Sequence, residues 1–238
     1  PPTVGAAGTF LTDAAGNGTL SWAAASSSPT VHISTVFETA ARFSDTATNG
    51  GTATYNSTGV IIRTNTNSGA ALSNMMNFRI GFLFNGSPTY SIGLLANSLV
   101  AASGDGSSFF GITDVNGLTV DGTGHTYTVR HVGFKILKTG GVVSVYATQA
   151  NGTTETASSA LTTIVDNDTL DLIFKINSTT SVDYYYRKNG GALSSATNLT
   201  TNMPTSIVTT DRMLQNSVSN NSTAFEYSFL CVGQSYDR

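Results

Sequence analysis

Charge is scarce in this sequence. Of its 238 residues, 11 are Lys or Arg and 14 are Asp or Glu, which makes 11 % charged and a net charge of −3. About 25 % is ordinary for a soluble domain. The Lys and Arg residues form no cluster that would neutralise phosphates, so a nucleic-acid partner is not expected. No apolar run reaches the ~18 residues of a membrane-spanning helix, so membrane insertion is not expected. The single cysteine, Cys231, leaves neither an internal disulfide framework nor a multi-cysteine zinc site. Only three Glu (Glu38, Glu155, Glu226) and three His (His32, His125, His131) occur, although most hydrolytic and metal chemistry draws on these two types. The opening residues lack the basic start and apolar core of a signal peptide. The abrupt Pro1-Pro2 start is what a piece of a longer chain would present.

Small polar side chains take the place of charge. Thr, Ser and Asn number 37, 28 and 19, about a third of the chain, beside 39 % hydrophobic residues. Thr, Tyr, Phe and Val suit a pleated, half-buried surface, whereas Asn, Ser and Gly suit turns. The pattern along the chain agrees. Phe78, Ile80, Phe82 and Phe84 alternate up to the turn signal Asn85-Gly86. Val132, Phe134 and Ile136 share a face, as do Val143, Val145 and Ala147, and again Leu170, Leu172, Phe174 and Ile176. Turns are expected at Asn49-Gly50, Asn151-Gly152 and Asn189-Gly190. About a dozen short strands, no convincing helix and no internal repeat predict an antiparallel two-sheet sandwich or jelly roll.

Residues 1–30 are rich in Ala, Gly, Ser and Thr, with Trp22 as their one large apolar anchor. So thin a set of core residues does not offset the entropy of ordering a separate domain. An extended stalk or linker is expected over 1–30, with residues 23–29 as its flexible part, and a sandwich domain over 31–238. Cys231 falls on a strand face with Phe225, Tyr227 and Phe229 and is expected to be a buried structural thiol.

Residues 131–136, 143–149, 170–176, 181–191 and 198–204 together resemble the back half of concanavalin A-like lectin/glucanase jelly rolls found in phage and environmental fibre proteins. Residues 37–43 match that family's first long strand. Residues 8–22 are similar to a short motif of phage tail-fibre and collagen-like proteins that lies just ahead of a terminal domain. The resemblance implies an all-β concanavalin A-like sandwich with an extended N-terminal segment. It implies a non-enzymatic virion or fibre domain, the terminal receptor- or glycan-binding head of a phage-type tail or capsid fibre. Such a head is extracellular, joins other fibre proteins and is expected to be a homotrimer, with much of its weakly charged surface as interface. Two alternatives share the fold: a secreted carbohydrate-active enzyme or binding module, and a bacterial surface adhesin or filament subunit.

Retaining glucanases of this family carry Glu-x-Asp-x-x-Glu on one strand, with two carboxyls ~5 Å apart. No Glu here has another within five residues, so glycoside hydrolysis by that route is not expected. For ligand binding the candidates are Tyr184 and Tyr186, whose rings could stack on sugar C–H faces, with Asp183, Arg187 and Asn189 as hydrogen-bonding neighbours. The competing reading has these tyrosines packing one sheet on the other. Asp166 and Asp168 offer oxygens to a Ca²⁺ ion, as does Asp114 with Asn116, but no spacing matches a calcium loop. No cofactor is therefore expected. His125 and His131 sit ~20 Å apart along one strand and are read as ordinary strand residues. The Asn-x-Ser/Thr triplets at Asn56, Asn151, Asn177 and Asn198 follow from composition and carry no inference of glycosylation.

Overall fold

The computed structural model describes residues 9–12, 21–24, 30–35, 43–48, 52–56, 59–63, 71–78, 87–98, 105–113, 129–204, 212–220 and 226–237. In chain order the strands are β1 (Thr9–Thr12), β2 (Ser21–Ala24), β3 (Thr30–Thr35), β4 (Phe43–Thr48), β5 (Thr52–Asn56) and β6 (Gly59–Arg63). Then come β7 (Ala71–Phe78), β8 (Thr89–Ser98), β9 (Gly106–Thr113), β10 (His131–Thr139), β11 (Val142–Ala150) and β12 (Glu155–Ala157). The last six are β13 (Thr162–Ile164), β14 (Thr169–Ser178), β15 (Ser181–Lys188), β16 (Thr197–Leu199), β17 (Arg212–Asn220) and β18 (Glu226–Asp237). Every pairing among the described residues is antiparallel.

One eight-stranded sheet runs β12-β11-β10-β9-β17-β7-β4, with β13 on the free side of β11. The other runs β16-β15-β14-β8-β18-β6-β5, with β3 beside β18. The fold is the expected all-β, two-sheet antiparallel sandwich. Within residues 1–30 the structure adds a ladder: β1 pairs with β2, setting Leu11 opposite Trp22 and Phe10 opposite Ala23. Ala23 and Ala24, expected at the start of the flexible stretch, close that ladder instead.

The core lies between the sheets. Phe110, Ile112, Val132, Phe134, Ile136, Val143 and Val145 come from one side, and Ile92, Leu94, Leu172, Phe174, Ile176, Val182, Tyr184 and Tyr227 from the other. Aromatic rings cross the gap edge to face, Phe134 on Tyr184 at 5.4 Å and Phe110 on Tyr227 at 5.1 Å between centroids. Such pairs add ~1 kcal/mol beyond the area they bury.

The two sheets differ in their outer faces. Along β14 burial alternates strictly, as expected where one face meets the core and the other meets water. Strands β9, β10 and β11 are buried on both faces. Strand β9 nevertheless lacks a continuous apolar run, because Ser107, Ser108 and Gly111 interrupt it, and Ser108 donates to the Tyr227 hydroxyl at 3.2 Å. The pattern of residues 193–199 suits a strand, but β16 covers only Thr197–Leu199. The residues before it make local bonds, the Ser194 amide donating to the Tyr186 carbonyl at 2.9 Å.

Candidate functional site

Strand β15 carries most of the residues expected to meet a ligand, and its pleat sorts them onto opposite faces. Tyr184 faces inward. It is 1 % exposed, sits opposite Phe174, and donates its hydroxyl proton to the Thr148 carbonyl at 3.0 Å, with Gln149 Oε1 at 3.2 Å. Burial pushes its phenol well above the usual range. Tyr184 is therefore a core residue, which corrects its candidacy as a sugar platform: no part of the ring is open to stacking. Tyr186 shares the inner face and packs half-buried against the core. Serine 194 ties it down from the loop, accepting from the Tyr186 amide at 3.0 Å.

Asp183, Tyr185 and Arg187 occupy the outer face. Cross-strand partners complete the surface: Lys175 lies opposite Asp183, Ile173 opposite Tyr185 and Asp171 opposite Arg187. Arg187 Nε donates to Asp171 Oδ2 at 2.6 Å, with side chains 46 % and 37 % exposed. In water such a pair adds at most about 1 kcal/mol to stability. It does fix where both side chains stand. Asp183 Oδ2 accepts from Asn177 Nδ2 at 2.7 Å, and Oδ1 from Asn198 Nδ2 at 2.6 Å. Tyr185 stands half-exposed between these two polar ends. Asp183, Tyr185 and Arg187 thus share the outer face of β15, while Tyr184 and Tyr186 lie on the inner one. Strand alternation is the signal for this sorting, since residues 183, 185 and 187 must share a face.

Asn189 belongs to a different assembly. With Gly190 it forms a tight turn in which both residues have positive φ, 52° and 66°, closed by the Gly191 amide donating to the Lys188 carbonyl at 2.9 Å. Asn189 Oδ1 accepts from the Thr169 amide at 2.8 Å, and its Nδ2 donates to Asp168 Oδ1 at 2.6 Å. The other Asp168 oxygen accepts from the Val165 amide at 2.7 Å and from Lys188 Nζ at 2.8 Å. Burial works against charge on Asp168, but these bonds outweigh it and hold the carboxyl below its usual range. A calcium ion does not fit this donor set, because the Lys188 ammonium already occupies the carboxylate. The Asp166 charge acts on Lys138. Among the described residues no group of three or more His, Cys, Asp or Glu could hold a metal. Asp114, Asn116 and His125 lie outside the described residues, as does the side chain of Cys231.

A third polar assembly, which sequence reasoning missed, is buried on the other sheet. Lys135 Nζ donates to Glu155 Oε1 at 2.9 Å, with side chains 7 % and 5 % exposed. The Thr148 hydroxyl donates to the same oxygen at 2.5 Å and lies 3.0 Å from His131 Nε2. His131 Nδ1 lies 2.8 Å from the Val129 carbonyl, an acceptor only, so Nδ1 carries the proton of the neutral ring. Burial lowers the His131 pKa to about 4, against the raising effects of the Val129 bond and the Glu155 charge, while Lys135 lowers it further. Glu155, on β12, is thus paired with Lys135. Glu226 stands on β18 of the opposite sheet, accepting from Asn97 Nδ2 at 3.0 Å. The two described glutamates do not form the close carboxylate pair that retaining hydrolysis uses. Glu38 lies outside the described residues.

No protein-family model and no curated protein matches the sequence. Solved structures do match in fold. Peanut lectin, crystallised with a nine-residue peptide, is 12 % identical with a TM-score of 0.58, covering 87 % of this chain and 97 % of the lectin. The exoplasmic/lumenal domain of VIP36, in a form bound to Ca²⁺ and Man3GlcNAc, is 11 % identical with a TM-score of 0.54, covering 84 % and 85 %. The CBM2 module of the evolved Dit of Lactobacillus casei BL23 phage J-1 is 9 % identical with a TM-score of 0.56, covering 89 % and 98 %. The chain shares the two-sheet sandwich of these lectin domains and of this phage module.

Proposed function

We propose that this chain is a non-enzymatic carbohydrate-binding domain, the terminal receptor-binding head of a phage-type tail or capsid fibre on the outside of a virion. The observation that carries the reading is the outer face of β14 and β15, where Tyr185 stands between the Asp183 and Arg187 ends. An aromatic ring flanked by fixed acceptors and donors suits a pyranose, which is apolar on its C–H face and polar at its hydroxyl rim. The fold supports it: VIP36 was crystallised with a mannose-containing glycan, and a phage module has the same architecture. The low charge of the chain fits a homotrimer in which much of the surface is interface. Residues 1–30 would then join the head to a stalk.

The test combines three measurements on the full chain. Light scattering after size exclusion should give three copies per particle, and a glycan array should give binding. Incubation with the bound glycan should release no new reducing ends. Sustained release would instead make the chain a carbohydrate-active enzyme, and failure to bind any glycan would remove the reading altogether.

A further inference from the structure

We infer that the outer face of β14 and β15 takes an uncharged glycan, lying along the strands with one ring stacked on Tyr185 and hydroxyls on Asp183. This rests on the carbohydrate-binding reading above and narrows it to a ligand class. Four charged side chains border the ring, Asp171 and Asp183 against Lys175 and Arg187, so their formal charges cancel. The face therefore carries no excess charge of either sign to draw in an ionic ligand.

The local bonds point the same way. Recognition of a carboxylate or sulfate by arginine uses the planar fork of the guanidinium. Here Nε is committed to Asp171 at 2.6 Å, so an acidic group reaching the remaining N–H donors of Arg187 would stand beside that carboxylate. Lys175 lies directly opposite the Asp183 carboxylate, so an acidic sugar approaching the ammonium would meet that negative charge. Asp183 itself is set up for neutral hydroxyls. Asn177 and Asn198 each donate to one of its oxygens, which fixes the carboxylate and leaves each oxygen a further lone-pair site for a hydroxyl proton. Ile173, opposite Tyr185, widens the apolar centre. From residue 171 to 175 the face runs ~13 Å along the strand, room for a short oligosaccharide rather than a single ring.

The deciding experiment is an array carrying neutral, uronic, sialylated and sulfated oligosaccharides, probed with the full chain and with the Tyr185→Ala and Asp183→Asn variants. Melting temperatures are recorded alongside. The inference expects binding to neutral glycans only. It expects Tyr185→Ala to weaken that binding at least about tenfold, as truncation at the centre of a small interface does, and Asp183→Asn to weaken it too, both with wild-type melting. Preference for acidic glycans would overturn the ligand class while leaving carbohydrate binding intact. Neutral binding unchanged in both variants would overturn the assignment to this face. Silence across the whole array would overturn the carbohydrate reading and this inference with it.

Discussion

The phenolic hydroxyl of Tyr184 and the backbone carbonyl of Thr148 meet at 3.0 Å across the space between the two sheets. Tyr184 belongs to β15 and Thr148 to β11, so this bond stitches one layer to the other at a fully buried point. Leaving a buried acceptor without its donor costs about 1–3 kcal/mol. Tyr184→Phe should therefore lower stability by about that much. Tyr184→Ala adds a cavity and should cost roughly 3–5 kcal/mol. Urea denaturation measures both. Glycan binding by the folded fraction should be unchanged in each, in contrast to Tyr185→Ala, because no Tyr184 surface reaches the outer face. A Tyr184→Phe variant that keeps full stability and loses binding would reverse these assignments.

Acid should weaken the fold through His131. Its pKa in the folded chain is about 4, against an ordinary 6.5, because burial disfavours the imidazolium. Between those values the unfolded chain binds the proton that the folded chain refuses. Stability must therefore fall as pH drops from 6.5 towards 4 and level off below, by on the order of 3 kcal/mol in total. The carboxyl of Asp168, held below its usual range, contributes stability present above that range and lost at still lower pH. Urea midpoints measured at intervals from pH 7 to 4 would follow the decline. His131→Gln, which takes up no proton, should flatten it between 6.5 and 4. An equally steep decline in that variant would trace acid sensitivity to other groups.

Gly111 and Gly133 face each other across β9 and β10, and neither position has room for a methyl group. A Cβ on either would stand 2.6 Å from the Cα of the other, and one on Gly111 would also stand 2.8 Å from the Phe109 ring. Phe109 in turn meets His131 edge-on at 5.1 Å, so its ring is not free to retreat. Gly133→Ala should destabilise by about 3 kcal/mol, as overpacking in a core does, and thermal melting would read the effect directly. Tolerance of alanine there would mean that the two strands do not approach this closely.

How much was legible follows from where the local pattern and the tertiary structure agree. Strands β10, β11, β14 and β15 announce themselves because large apolar residues such as Val132, Phe134 and Ile136, or Leu170, Leu172 and Phe174, recur on one face in a period of two. Strand β17 does not. Residues 215–217 are Gln, Asn and Ser, which read as loop, yet the strand lies in the middle of a sheet between β7 and β9. Alternation alone puts Tyr184 and Tyr186 on one face and Tyr185 on the other, but only the fold shows that the face of Tyr184 is the buried one. Asn189 and Asp168 were separate candidates for sugar and calcium, and only the fold shows them bonded to each other. The pairing of Lys135 with Glu155 leaves no local trace, because it depends on β11 lying between β10 and β12.

The central claim is that the outer face of β14 and β15 is the binding surface. Titrating the labelled full chain with a neutral oligosaccharide selected from the array, and following backbone amide shifts by NMR, tests this most directly. Binding at this face predicts the largest shifts at Asp171, Ile173, Asp183, Tyr185 and Arg187, with β9 to β11 nearly silent. Shifts concentrated on β9 to β11, with Tyr185 unmoved, would contradict it.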